Sequence, residues 1–185
     1  MEKDKYDVIV VGAGHAGCEA AHAAARMGRA TLLITLDPDK IGLMSCNPAV
    51  GGMGKGQLVK ELDAMGGLMA RVTDMTSLHY RKLNTKKGKA VHSSRAQVDR
   101  EAYRREMGKL LESAENLDIE QGEVVRLLVE GGGVRGVETS GGKTYLAQTV
   151  VLNCGTFLNG VIHMGLENFR AGRMDGILHA NLART

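Results

Sequence analysis

The sequence predicts an α/β fold, a parallel sheet with flanking helices, extended by a small antiparallel β-meander. Three observations carry this reading. A β-branched apolar run, Tyr6–Val11, leads straight into the turn Gly12-Ala13-Gly14-His15-Ala16-Gly17 and then into an alanine-rich helical stretch. A second apolar run, Thr31–Thr35, follows within about 30 residues of the first, the length of a β-α-β crossover. Further on, short alternating segments separated by Gly-Gly turns have the pattern of hairpin strands.

Each element has its own signal. Tyr6–Val11 is a buried first strand, and the helix after the glycine turn runs to about Met27, where Gly28 can supply the positive φ of a helix end. Thr31–Thr35 is the second strand. Leu36–Gly56 is rich in glycine and reads as irregular, whereas Gln57–Met65 has apolar residues at 58, 59, 62 and 65 and reads as a short helix. Arg95–Leu111 carries a helical pattern, and Leu117–Glu120 is expected as a third parallel strand. Glu123–Glu130, Gly133–Thr139 and Lys143–Leu146 make the meander. Thr149–Asn153 is a returning buried strand that ends at Cys154-Gly155-Thr156.

Composition narrows the class. Glycine supplies 25 of 185 residues, against a usual ~7%. With 43% hydrophobic and 24% charged residues, the chain can bury a core, which excludes intrinsic disorder. The glycines have no three-residue period, so collagen is excluded. No apolar run approaches the ~18 residues of a membrane span. The opening residues are charged with both signs, unlike a signal peptide. The three cysteines, Cys18, Cys46 and Cys154, are too scattered for a disulfide framework or a zinc site. A soluble protein of a reducing compartment, the cytoplasm, is expected, with no metal site and no membrane partner. The net charge of +3 is uneven: residues 79–109 hold ten Lys or Arg and three Asp or Glu. Acidic residues punctuate the helical part. Charge runs more often form a solvated helix face than a binding site, and the helical part fits that reading; Arg81, Lys82, Lys86, Lys87 and Lys89 have no nearby acid, so a polyanion, if one binds, is expected there.

Gly12-x-Gly14-x-x-Gly17 gains its force from lying between a strand and a helix. Gly12 permits the tight turn, Gly14 lets a pyrophosphate approach the backbone, and Gly17 lets the helix pack closely on the strand. The helix start then offers free N–H groups and a positive dipole end to phosphate. This is the phosphate-binding unit of a Rossmann-like FAD/NAD(P)-binding fold. The acid that usually closes the second strand is replaced by Thr35, with Asp37 two residues on, which leaves the ribose contact open. The meander and the small-residue turn after it favour FAD over NAD.

The block Met44-Ser-Cys-Asn-Pro-Ala-Val-Gly-Gly-Met-Gly-Lys-Gly-Gln is not a P-loop. Ala49 stands at the first glycine position, and Gly56 replaces the hydroxyl residue that would bind magnesium. Together with Arg81-Lys-Leu-Asn-Thr-Lys-Lys-Gly-Lys-Ala-Val, Arg95-Ala-Gln-Val-Asp-Arg100, Gly155-Thr-Phe-Leu-Asn-Gly160 and Ile162-His-Met-Gly-Leu166, it closely resembles the MnmG (GidA) family from Tyr6 to about Arg173. That family is the FAD-dependent subunit of the enzyme that forms 5-carboxymethylaminomethyl uridine at the tRNA wobble position.

The resemblance implies FAD as cofactor, NADH as its reductant and methylenetetrahydrofolate as one-carbon donor. It implies tRNA and the GTPase MnmE as partners, with a homodimer in the full-length protein. FAD would be held by Gly12, Ala13, Gly14, His15, Ala16 and Gly17, with Thr35 at the ribose position. Val124 matches an adenine-side contact of the family, and Asn47, Gly51, Gly52 and Thr156 lie in motifs expected near the flavin. His15 would act through its backbone. Arg81, Lys82, Lys86, Lys87, Lys89 and Arg95 are the expected tRNA contacts, with His79 and His92 beside them. Cys46 has two readings: a thiolate that adds to the uracil 6-carbon or serves the flavin, or a packing residue of the loop. Cys18 and Cys154 read as packing.

In domain terms, 6–35 is the phosphate-binding unit, 36–116 a family-specific loop and helix region, 123–147 the meander, and 148–160 the returning strand with its cofactor turn. Lys89 stands where the family usually has proline. The segment Met174–Thr185 also lacks an expected proline, and the chain corresponds only to the opening portion of the family's length. The fold is therefore expected to be incomplete, lacking a strand and part of the cofactor wall. Two other readings remain: a non-catalytic FAD- or RNA-binding fragment, and a related folate- and FAD-dependent tRNA uracil methyltransferase. The Ser45-Cys46-Asn47-Pro48 and Gly54-Lys55-Gly56 blocks count against the second.

Overall fold

The structure is a computed structural model that describes residues 5–172. Residues 1–4 of the charged opening and the departure at Met174–Thr185 lie outside the described residues. The described residues form two compact units, one from 5–41 with 112–172 and one from 42–111.

The first unit begins with β1 (Lys5–Val11), α1 (His15–Arg26) and β2 (Thr31–Thr35), as the sequence predicts. All five residues of β2 are buried, the mark of a strand covered on both faces. Helix α1 buries Gly17, Cys18, Ala21 and Ala25. These small residues recur at helical spacing and let the helix axis lie close to the sheet. The helix ends where Gly28 takes φ +73°.

The second unit contains more strand than the sequence suggests. A short β3 (Ala49–Gly51) precedes α2 (Gly56–Ala64), which matches the expected helix over Gln57–Met65. A second helix, α3 (Leu68–Thr76), was not expected; it buries Leu68 and Val72. Its buried Thr73 and Thr76 hydroxyls each donate to a carbonyl one turn back, both at 2.7 Å. Then come β4 (Ser77–Leu83), β5 (Ser93–Val98) and α4 (Arg100–Glu112).

Strands β3, β5 and β4 form an antiparallel sheet in that order, so the span expected as loop and helix holds a sheet. Arg81 and Lys82 lie on a strand, and the helix expected from Arg95 starts at Arg100. Two features explain the later start. Ala96 and Val98 alternate into the core, and the Asp99 carboxylate accepts from the Ala102 N–H at 2.8 Å, capping α4. From there Tyr103, Met107 and Leu111 bury one face of the helix.

The chain returns to the first unit with β6 (Leu117–Gln121), which pairs parallel to β2 as expected. Strands β7 (Val124–Glu130) and β8 (Gly133–Thr139) form the first hairpin of the meander. The segments read as two strands, Lys143–Leu146 and Thr149–Asn153, are one continuous β9 (Thr144–Leu152). Its first residues pair antiparallel with β8, and from Leu146 onward it pairs parallel with β1. Backbone pairing needs no apolar side chain, so the polar Gln148-Thr149 does not interrupt it. One six-stranded sheet results, in the order β6-β2-β1-β9-β8-β7. A hairpin of β10 (Val161–Met164) and β11 (Glu167–Arg170), not expected from the sequence, follows.

One core cluster gathers Tyr6, Ile9, Val11, Leu32, Ile34, Val124, Val137, Tyr145 and Ala147. It joins the parallel strands to the meander. The Tyr6 and Tyr145 rings meet at a centroid distance of 6.4 Å. Burial, reinforced by a hydrogen bond with Asp118, pushes the Tyr6 phenol well above its usual pKa.

Leu32 is fully buried, whereas Leu166 stands in solvent. Urea unfolding is expected to show a loss of about 2–5 kcal/mol for Leu32→Ala. Leu166→Ala should stay within about 0.5 kcal/mol of the parent.

Candidate functional site

The glycine turn sits where β1 ends, between β2 on one side and β9 on the other. The order β6-β2-β1-β9 makes the β1–β9 boundary the point where the connections reverse direction across the sheet. In open α/β sheets a ligand crevice opens at that point, beyond the carboxyl ends of the strands. Gly12 takes φ +100°, and its N–H donates to the Ile34 carbonyl at 2.8 Å. A Cβ on Gly12 would collide with the Asn153 carbonyl at the end of β9, and one on Gly17 would collide with the Gly12 carbonyl. A Cβ on Gly14 would meet nothing within 4 Å. The three glycines thus serve three ends: Gly12 the turn, Gly17 the helix contact, and Gly14 an open approach.

Helix α1 begins at this turn without a side-chain cap and without an acid in its first turn. The first N–H groups of any helix lack intrahelical acceptors. Here they add to the positive dipole end, with no acid in the helix's first turn to offset it, which suits a phosphate. Ala13 is buried beneath the turn, and its carbonyl accepts from the buried Cys18 thiol at 3.4 Å. Cys18 therefore packs, as expected.

At the neighbouring strand ends, the Thr35 hydroxyl donates to the Asp37 carbonyl at 3.4 Å. The Asp37 carboxylate accepts from the Asp39 N–H at 3.0 Å and pairs with Lys40 at 3.3 Å. It is thereby engaged in its own turn. The Val124 side chain lies in the core, so a ligand there would meet main chain. Cys154 packs against the same core, and desolvation raises its thiol pKa. Thr156 is exposed, with its hydroxyl donating to the Gly172 carbonyl at 2.7 Å. Asn153, absent from the sequence-based candidates, forms one wall of the turn. Its signal was its place as the last residue before Cys154-Gly155-Thr156.

The remaining candidates belong to the second unit. Asn47 and Ala49 form a tight turn, with the Ala49 N–H donating to the Asn47 carbonyl at 2.7 Å. The Gly52 N–H donates to the Ser94 carbonyl at 2.8 Å, while the Gly52 carbonyl accepts from the Ser93 hydroxyl at 2.6 Å. Gly51 and Gly52 are thus tied to β5, and the two serines, which the motif reading did not single out, do the tying.

The Cys46 thiol is exposed, so it fills no core position. The Arg100 guanidinium donates to the Cys46 carbonyl at 2.5 Å and fixes that stretch of loop. Arg81 and Lys82 stand on β4, and Lys86, Lys87 and Lys89 stand on the connection to β5. That connection is pinned twice. The Asn84 amide donates to the Val91 carbonyl at 3.2 Å, and His92 Nε2–H donates to the Lys87 carbonyl at 3.1 Å. His79 is exposed on β4.

Among the described residues, no group of three or more His, Cys, Asp and Glu could hold a metal ion. No described helix is long and apolar enough to cross a membrane.

The first unit defines a Rossmann-type dinucleotide-binding protein whose parallel sheet carries an antiparallel meander. The family model described as glucose inhibited division protein A matches residues 7–185, and the chain belongs to that family. It is 58% identical over 169 residues to the tRNA uridine 5-carboxymethylaminomethyl modification enzyme MnmG of Pelobacter propionicus, covering 91% of this chain and 27% of that protein. The crystal structure of Aquifex aeolicus GidA (form I) superposes with a TM-score of 0.93 at 50% identity, covering 97% of this chain and 30% of that one. The GidA-related protein from Thermus thermophilus is more distant, with a TM-score of 0.68 at 25% identity over 96% of this chain and 65% of that one. The chain therefore spans about a quarter of the length of the curated relatives it matches.

Gly17→Ala forces a side chain onto a backbone carbonyl and is expected to cost about 1–3 kcal/mol or more. Gly14→Ala meets open space and should cost under about 1 kcal/mol, as an alanine at a helix N-cap. Denaturant titration of the two variants checks the contrast.

Proposed function

We propose that the first unit binds FAD and the second presents a surface for tRNA, as the FAD-binding part of an enzyme that forms 5-carboxymethylaminomethyl uridine at the tRNA wobble position. The observation that carries the reading is the uncapped start of α1 at the sheet's reversal point, in a chain that belongs to the GidA family. On this reading Gly12, Ala13, Gly14, His15, Ala16 and Gly17 hold the pyrophosphate through backbone N–H groups. Thr35 serves the ribose in place of an acid, Val124 meets the adenine end through its main chain, and Thr156 lies on the flavin side. When bound, FAD supplies the redox chemistry, and the similar relatives are named for modifying tRNA uridine.

The residues present fit such a group. The approach to Gly14 is open, and no acid opposes a phosphate at the helix start. In the second unit, Asn47, Gly51 and Gly52 belong to the loop that also carries Cys46. An exposed thiol there could add, as thiolate, to the uracil 6-carbon and make the 5-carbon nucleophilic. Lys86, Lys87 and Lys89, with Arg81, Lys82 and Arg95, would neutralise tRNA phosphates.

The resemblance extends the proposal to NADH as reductant, methylenetetrahydrofolate as one-carbon donor, MnmE as partner and a homodimer of the full-length enzyme. Within the fold, 6–35 is then the phosphate unit and 148–160 the cofactor turn.

Purified chain should carry flavin absorbance at one equivalent, and Gly14→Ala should lose it while remaining folded. A colourless protein that takes up no added FAD overturns the cofactor assignment. Replacing Lys86, Lys87 and Lys89 together by Ala should weaken tRNA binding. The slope of log affinity against log salt should fall by about one for each phosphate that is no longer neutralised. An unchanged slope overturns the role of the lysines.

A further inference from the structure

The register of the second unit places two arginines side by side. Arg81 of β4 is the direct partner of Arg95 on β5. Directly opposed residues on antiparallel strands share a face, with Cβ atoms about 4.5–5.5 Å apart. On the other side of Arg95 the partner is Gly51 of β3, which has no side chain. The neighbouring rows on this face are His79 with Gln97 and Ala49, and Leu83 with Ser93. None of these residues is acidic.

Like charges in such a position repel and destabilise the pairing. The usual relief, an acidic neighbour, is missing: neither arginine side chain is ion-paired or hydrogen-bonded among the described residues, whereas Arg104, Arg105, Arg126 and Arg135 all pair with glutamates. Nor can the strands slip to separate the charges. Ala96 and Val98 are buried on the opposite face of β5, and a one-residue shift would turn them into solvent. The register thus sets the two arginines directly opposite each other, with Arg81 exposed and Arg95 half-buried.

We propose that Arg81 and Arg95 form a clamp for a single phosphate group. Two planar guanidinium forks converging from adjacent strands offer paired donors to one oxyanion and exchange their mutual repulsion for shared attraction. Lys86, Lys87 and Lys89, on the connection between the same two strands, extend the positive field beyond the clamp. The clamp itself rests on register and burial. Reading its phosphate as part of an RNA backbone rests on the function proposed above, and the pyrophosphate of a small ligand is the other source of the same chemistry.

The test compares the 185-residue chain with Arg81→Glu and Arg81→Gln. Thermal unfolding is followed with and without sodium pyrophosphate at matched ionic strength, and binding of a fluorescent anticodon stem-loop RNA is titrated. Without anion, Arg81→Glu should melt at or above the parent, since it faces Arg95 with an opposite charge. It should bind the RNA about tenfold more weakly, as removal of a charge-assisted hydrogen bond to phosphate requires. Arg81→Gln should show the same loss of binding. A melting rise with pyrophosphate in the parent that both variants lack, with RNA binding unchanged, keeps the clamp and assigns it to a small phosphorylated ligand. Equal responses of all three proteins to both probes overturn the clamp. If the triple lysine variant also binds RNA as the parent does while the pyrophosphate response still needs Arg81, the tRNA reading fails and the clamp survives.

Discussion

Helix α1 crosses β1 so closely that the Gly17 position can hold no side chain against the carbonyl of Gly12. On the other side of that carbonyl's residue, the end of β9 leaves no room for a side chain at Gly12. This is a steric limit that a flexible neighbour cannot relieve, since the opposing atoms are backbone. The rest of the first unit follows from it. The stripe of Cys18, Ala21 and Ala25 continues the close approach along the helix, and the start of α1 is held over the gap between β1 and β9. A larger residue at the crossing would displace the helix axis and turn its dipole away from that gap. The packing constraint and the electrostatic property are two results of one contact.

The second unit reaches its character by a different route. Arg81 and Arg95 lie on one face of its sheet, while Ala96, Val98 and Val50 go into a core on the other. Fixing the backbone of β4 and β5 fixes where the charges lie, and Asn84 and His92 do the same for the connection between them. The ion pairs on α4, Arg104 with Glu101 and Lys109 with Glu106, are exposed and add little stability. Their effect is to neutralise the helix locally, which leaves the uncompensated charge on the hairpin.

Local chemistry was legible in the sequence and long-range pairing was not. The β-α-β unit could be read because Tyr6–Val11 and Thr31–Thr35 are largely buried, so apolar runs mark them without reference to any partner. The tasks of Gly12, Gly14 and Gly17 could be read for the same reason, since a turn's backbone angles are set by its own residues. Strand β4 could not: Ser-Leu-His-Tyr-Arg-Lys-Leu is largely exposed, so the apolar alternation that signals a strand is missing. Arg95 and Arg100 both fit a helical spacing, and only the cap at Asp99 distinguishes them. The opposition of Arg81 and Arg95 depends on a register, which no local pattern encodes. Asn153 carries no residue-type signal, because its importance lies in its carbonyl.

Strand β9 fills two roles, and this has a consequence for the order in which the chain can assemble. Its pairing with β1 brings Tyr6 against Ala147, so the centre of the large sheet closes only after roughly 140 further residues have been made. The β4–β5 hairpin of the second unit and the β7–β8 pair are local and can form as they emerge. During synthesis β1 and β2, joined on the β2 side by β6, would wait as an unfinished, apolar ribbon until β9 arrives, and the edge of β1 would stay open to wrong partners for that time. A glycine turn seated between the first and last strands of the parallel layer thus imposes a late closing step, on which the whole unit's native state depends.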